Sequence, residues 1–309
     1  MQALLEVILP VFVVIGLGYV AVWRSWLDDS AVDTLTSFAQ RFAIPILLFQ
    51  AIAGLDLATT FDPRLLGSFY GGAVSGFVAG IAVARLGFGR AWPDSIAIGF
   101  VGLFSNSVLL GLPITELAYG DAVLAHTFTI ISIHAPFCYA LGITAMEVVR
   151  ADGKGPAGIA RAVLTGMFSN MLILAIGLGF VVNLLGLRLP GPLIDGMTII
   201  AAAALPTALV GLGGVLRRYR PDGDLRLVLV MCAVSLILHP AVAFGLATLW
   251  SLPADPMRAA VLTGAMAPGV NSFIFANIYG VGKRVAASSV LIATALSIGT
   301  VWVWLLILP

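Results

Sequence analysis

Apolar stretches of about 20 residues, the length that carries a helix across a hydrocarbon core, recur along the whole chain between short polar hinges. The pattern predicts helices over approximately 3–23, 32–54, 64–86, 94–118, 122–148, 160–186, 193–216, 226–250, 257–279 and 284–307, ten segments in all. The first has no basic leader before its apolar run and no AxA-like site after it, so it reads as a retained span. Division at the polar stretch Arg150 to Pro156 leaves five segments on each side. An odd number of crossings turns the second half over relative to the first. The expected organisation is therefore residues 1–149 as one five-helix repeat, 150–159 as a cytoplasmic linker and 160–309 as an inverted second repeat.

Two segments break their own apolar pattern. The fourth contains Phe104-Ser105-Asn106-Ser107 followed by Gly111-Leu112-Pro113, and the ninth contains Ala267-Pro268-Gly269-Val270-Asn271-Ser272. Proline lacks a backbone donor and frees a carbonyl, which lipid cannot satisfy, so such a break is tolerated only against protein or a watery cavity. Paired interruptions in two halves of a membrane chain point to a binding site near mid-bilayer, where half-helix ends aim dipoles at a ligand. Pro45 and Pro206 lie at nearly the same separation as Pro113 and Pro268, which supports an internal repeat. The order differs, since asparagine precedes proline in the first break and follows it in the second.

Composition agrees with a membrane protein: 60% of the 309 residues are hydrophobic and only 10% charged, against about a quarter charged in soluble domains. A net charge of +1 implies no basic face for nucleic acid. Lysines and arginines set orientation, because short basic loops stay cytoplasmic. The odd-numbered loops hold Arg24, Arg85, Arg90, Arg150, Lys154, Arg161, Arg217, Arg218, Arg220, Arg226, Lys283 and Arg284, whereas the even-numbered loops hold Arg64, Arg188 and Arg258. Both termini are thus expected on the non-cytoplasmic side of the cell's inner membrane. All six tryptophans fall near segment ends, where their rings favour the interface. Cys138 and Cys232 lie in apolar runs without a CxxC partner and read as small buried hydrophobes.

In order and spacing, these residues resemble the auxin efflux carrier family, whose bacterial members include malonate-transporter-like and malate-transporter-like proteins. The resemblance spans nearly the whole chain. It is carried by Leu9-Pro10-Val11-Phe12 with Gly16-Leu17-Gly18-Tyr19, Ala43-Ile44-Pro45-Ile46-Leu47-Leu48-Phe49, Asn106 with Gly111-Leu112-Pro113-Ile114, His239-Pro240, and Pro268 with Asn271. It implies an all-α membrane protein of ten transmembrane helices as two inverted five-helix repeats. Broken helices 4 and 9 would cross at their prolines, in a bile-acid symporter-like architecture. It also implies an elevator mechanism, in which helices 3–5 and 8–10 form a bundle that slides against a scaffold of helices 1, 2, 6 and 7, and a homodimer. One departure is visible: where a proline commonly follows Asn170 in the sixth segment, this chain has Met171.

The candidate substrate-binding residues are Asn106, Asn271, Ser105, Ser107 and Ser272, because neutral amides and hydroxyls hold a carboxylate without burying a permanent charge. Capping of the broken helices, and for the serines bonding to their own helix, are the plainer alternatives. Gly111, Pro113, Pro268 and Gly269 are the candidate crossover residues, the glycines allowing close approach and unusual dihedrals. Glu116, His239 and Arg41 are candidates for coupling transport to H+ or Na+, and Arg41 also for attracting an anionic substrate; solvation, a structural hydrogen bond and snorkelling are their ordinary roles. Asp29 and Asp33 at the start of the second segment invite comparison with metal-binding carboxylates, yet acids also suit a helix amino terminus. No HExxH, GxSxG, P-loop or cysteine-histidine cluster supports an enzyme, a cofactor or ATP use. The expected activity is transport of a small organic anion, a dicarboxylate or an auxin-like carboxylate. A non-transporting receptor or passive channel on the same fold is the alternative.

Overall fold

The computed structural model describes residues 4–150, 156–168, 170–219 and 224–309. Lys154, Arg220 and most of the expected linker lie outside the described residues. Among the described residues, seven helices are long and apolar enough to cross a membrane: Leu5–Trp23, Asp29–Ala53, Pro63–Gly87, Asp121–Arg150, Gly191–Arg218, Leu225–Leu249 and Lys283–Ile307. The chain is a multi-pass membrane protein. The remaining apolar sequence is divided into pairs of shorter helices, and these pairs carry the chemistry.

In chain order the α-helices are α1 Leu9–Trp23, α2 Asp29–Phe38, α3 Ile44–Ala53, α4 Leu57–Thr60, α5 Pro63–Ala82, α6 Trp92–Leu103, α7 Leu112–Tyr119, α8 Asp121–Arg150 and α9 Pro156–Phe168. They continue as α10 Met171–Leu184, α11 Gly191–Ala202, α12 Ala204–Arg218, α13 Leu225–Ala233, α14 His239–Leu249, α15 Ala254–Gly264, α16 Val270–Tyr279 and α17 Lys283–Ile307. Five-residue π-helical turns join several of them. Four such turns stand immediately before an X-Pro pair: Leu4–Ile8 before Pro10, Ala39–Ala43 before Pro45, Ser107–Gly111 before Pro113, and Val234–Leu238 before Pro240. The proline ring has no N–H to give and crowds the carbonyl four residues back, so widening the preceding turn lets the helix run on. At these four prolines the helix therefore runs on.

Side-chain distribution shows the solvent to be lipid. On α1 and the turn before it, Leu5, Leu9, Val13 and Leu17 are exposed, whereas Val11, Ile15 and Gly18 are buried. Both faces are apolar, as expected for a helix between protein and acyl chains. Glycines allow the closest packing. A Cβ on Gly18 would collide with the Val210 carbonyl and one on Gly213 with the Ile15 carbonyl, locking α1 to α12 backbone against backbone. Gly76 and Gly102 do the same between α5 and α6.

Two packed groups result. In one, α1 lies along α12 and α10 along α3, with α2 and α11 beside them. Polar ties reinforce it: the Asn183 amide donates to the carbonyls of Ile52 (2.9 Å) and Leu55 (2.7 Å) at the end of α3, and Gln50 donates to Thr198 Oγ1 on α11 (3.0 Å). Arg218 of α12 pairs with Asp29 (2.8 Å) and Asp33 (2.6 Å) of α2. Those two carboxylates are thus held by a guanidinium. Among the described residues no cluster of three His, Cys, Asp or Glu side chains forms a metal site. In the other group α5 packs on α6 and α14, α8 on α6, α7 and α15, and α17 on α13 and α16. Tyr70 Oη donates to the Ile130 carbonyl (2.8 Å) and Trp304 Nε1 to that of Leu236 (3.1 Å), tying α5 to α8 and α17 to the turn before α14.

Candidate functional site

Helix α6 ends at Leu103, and the next three residues are non-helical before helical geometry resumes at Ser107. Helix α15 ends at Gly264 and α16 begins at Val270. These two breaks meet. Asn106 N donates to the Ala267 carbonyl (2.8 Å) and Gly269 N to the Phe104 carbonyl (2.9 Å), an antiparallel bridge centred on Ser105 and Pro268. Backbone groups orphaned by one break are thereby satisfied by the other, which is the condition for non-helical chain at membrane depth. Phe100 and Phe275 stack behind the bridge with ring centroids 4.1 Å apart, and His134 Nε2 donates to the Ser105 carbonyl (3.2 Å).

The position of the first break corrects the expectation that both helices cross at their prolines. Pro268 lies inside its break, but Pro113 sits downstream in the first turn of α7, after the widened turn has absorbed its missing donor. What starts the helix is Asn106, whose Oδ1 accepts from Leu109 N (3.3 Å) as an amino-terminal cap. Gly111 is also plainer than expected. It has helical dihedrals, and an added Cβ would meet only ordinary contacts at 3.7 Å. Gly269 is extended rather than unusual (φ −70°), though a Cβ there would press on Phe104 at 3.3 Å.

A cavity of about 1030 Å³ opens beside the bridge, between the two packed groups. Asn106, Ser105, Ser107 and Asn271 line it from the breaks, with His134 and Tyr139 from α8 and Arg41 from the turn before α3. Asn106 is only 6% exposed, and its Nδ2 has no hydrogen-bond partner among the described residues; the Ser105 hydroxyl is buried and unpartnered too. Asn271 is half-buried, its Oδ1 accepting from Tyr139 Oη (3.1 Å), which turns its amide donors away from the tyrosine. Three other sequence candidates lie off the cavity. Ser272 is buried with its hydroxyl toward the Phe100 carbonyl (3.5 Å), Glu116 is exposed one turn beyond Pro113, and His239 is buried against Phe69, Gly72 and Gly264.

Sequence reasoning missed Asn170. The sixth segment breaks there despite Met171 standing where a proline was expected: Asn170 is extended and its Oδ1 caps α10 through Leu172 N (2.9 Å). Both residues line the cavity. The available signal was an asparagine immediately before the apolar run Met171-Leu172-Ile173. Three helical amino termini, those following Asn106, Asn170 and Gly269, thus converge on one cavity. Among the described residues no carboxylate lines it. Positive dipole ends, unpaired amide donors and no competing acid suit an anion.

Paired broken helices around a polar cavity within an otherwise lipid-facing bundle define a membrane transporter. Residues 3–305 match the family described as Membrane transport protein, and the chain belongs to that family, that of the auxin efflux carriers. It is similar to a protein of Rhizobium meliloti (strain 1021) named "Putative malonate transporter", with 24% identity covering 97% of this chain and 94% of the relative. A protein of Methanothermobacter thermautotrophicus named "Uncharacterized transporter" is 23% identical over 98% of both chains.

Proposed function

We propose that the protein carries small organic anions, with the crossover as its carboxylate-binding element. One observation carries this reading: Asn106 presents an unpartnered, almost fully buried amide donor to a cavity that three helix amino termini face and no acid lines. A buried donor without an acceptor costs about 1–3 kcal/mol, a cost that a carboxylate oxygen in the cavity removes. The similarity to a protein named for malonate transport favours a dicarboxylate over an auxin-like acid. A ten-helix, inverted-repeat arrangement is supported by seven continuous apolar helices and three divided ones, whose breaks fall in the fourth, sixth and ninth apolar segments.

Division into two packed groups supports an elevator movement. The group holding the bridge slides with its ligand, and the group built on α1, α3, α10 and α12 stands still and supplies any dimer contact. The cavity mouth, at Ser37, Gln40, Ile278 and Tyr279, lies toward the same end of the spans as Arg24, Arg217 and Lys283. With the basic loops cytoplasmic, the cavity faces the cytoplasm and both termini face away from it. Counterflow in proteoliposomes tests the function. Radiolabelled malonate should enter faster when unlabelled malonate is trapped inside. Binding without such exchange would mark a receptor, and conduction without acceleration a channel.

A further inference from the structure

Within the described residues, Arg41 is the only cation lining the cavity, and it makes no ion pair or hydrogen bond there. It stands twelve residues after Asp29, about 18 Å along a helix, and directly follows Gln40 at the cavity mouth. Four arginines elsewhere are occupied: Arg64 by Asp62, Arg218 by Asp29 and Asp33, Arg258 by Asp255, and Arg150 by the Tyr279 carbonyl. The Arg41 side chain is exposed on the cavity wall next to Ser37 and Gln40, and among the described residues no acid lines the cavity to pair with it. On the same wall, Asn170 has its Oδ1 committed to capping α10, which leaves its Nδ2 as a donor.

Arg41 and Asn170 belong to the scaffold group, whereas Asn106 and Asn271 belong to the bridge. The cavity therefore has polar side chains from both groups of helices, with Ile131, Ile176 and Ile274 among the apolar residues of its lining. We propose that Arg41 and Asn170 form a far-end anion subsite, which binds the second charged group of a substrate whose first carboxylate is held at the crossover. The proposal rests on the carboxylate reading of the crossover. It adds that recognition of the second charge depends on sidedness. A ligand moving with the bridge leaves Arg41 and Asn170 behind, so the far end is read only while the cavity faces the side to which it now opens. Doubly charged substrates then bind more tightly from that side, and singly charged ones bind about equally from both.

The test uses full-length protein, with malonate as the two-ended probe and propionate as the one-ended probe of similar size. In Arg41→Gln, malonate affinity at the cavity side should fall at least about 10-fold, the usual loss for one charge-assisted contact. Propionate affinity should change less than about 2-fold, and Arg41→Lys should restore part of the malonate affinity. Asn170→Asp keeps the capping oxygen but replaces the donor with a negative charge, so it should weaken malonate more than propionate without loss of folded protein. In inside-out and right-side-out proteoliposomes, Arg41→Gln should raise the malonate half-saturation on one face only. Unchanged malonate binding, equal losses for both acids, or equal losses on both faces would each overturn the subsite. Asn106→Asp separates the two readings, because it should abolish binding of both acids. Normal binding in that variant sinks the crossover reading itself, and wild-type protein that binds neither acid sinks both.

Discussion

The two breaks that form the crossover reach the same geometry by different chemistry. In the second, Pro268 stands within the interruption, and the asparagine lies inside the following helix with its carbonyl oxygen on Tyr139. In the first, no proline is present at the interruption. Asn106 itself ends the extended stretch by capping the next turn, and Pro113 is accommodated further on. The two asparagines are consequently unequal. Asn106 is a cap, buried, with an orphan donor; Asn271 is half-buried and already partnered. The lesson is that a break is located by where backbone hydrogen bonds go, and the nearest proline in the sequence is an unreliable marker of it.

That inequality can be broken or sharpened by substitution. Asn106→Asp should have the largest effect, lowering malonate affinity at least about 100-fold by setting a buried like charge against the ligand. Its capping oxygen survives, so detergent-purified protein should elute as the wild type does. Asn271→Ala should cost less, about 10-fold at most in the same binding assay, because Asn271 is half-buried and already bonded to Tyr139. Tyr139→Phe, which frees Asn271 without removing it, should cost less again. Pro268→Ala should slow malonate exchange by about 3-fold through looser definition of the break, with Gly269 still able to bond Phe104. Pro113→Ala should be the mildest, leaving exchange near wild type and shifting Tm by only a few degrees, since a widened turn and not a break stands there. A reversed order for the two prolines would show that Pro113 defines the crossing after all.

Much of this was legible in the chain itself. Apolar run lengths placed the seven long helices, since lipid demands about 20 residues per crossing, and the asparagine-containing interruptions at 104–107 and 267–272 pointed to the bridge. Three things were not legible. Pro113, expected with Pro268 at a break, stands in continuing helix, because hydrogen bonding can step from four residues to five in the turn before it. Asn170 was overlooked because no proline accompanied it, although capping alone sufficed to divide that segment. The separation of cavity-facing from cavity-averted residues depended on helix rotation: Ser272 turned to the Phe100 carbonyl, Glu116 outward and His239 into packing. Hydropathy in a lipid-facing helix carries little information on rotation, because both faces are apolar.

The central claim is that a carboxylate is held by the side-chain amide of Asn106 beside the bridged breaks. Selective 15N labelling of asparagine, with the Asn106 side-chain amide resonance assigned by its loss in Asn106→Asp, reads that contact directly. Addition of malonate should move those amide protons downfield, as a new charge-assisted hydrogen bond requires, while uncharged dimethyl malonate should leave them in place. An unmoved resonance under malonate concentrations that raise the Tm of the protein would contradict the account.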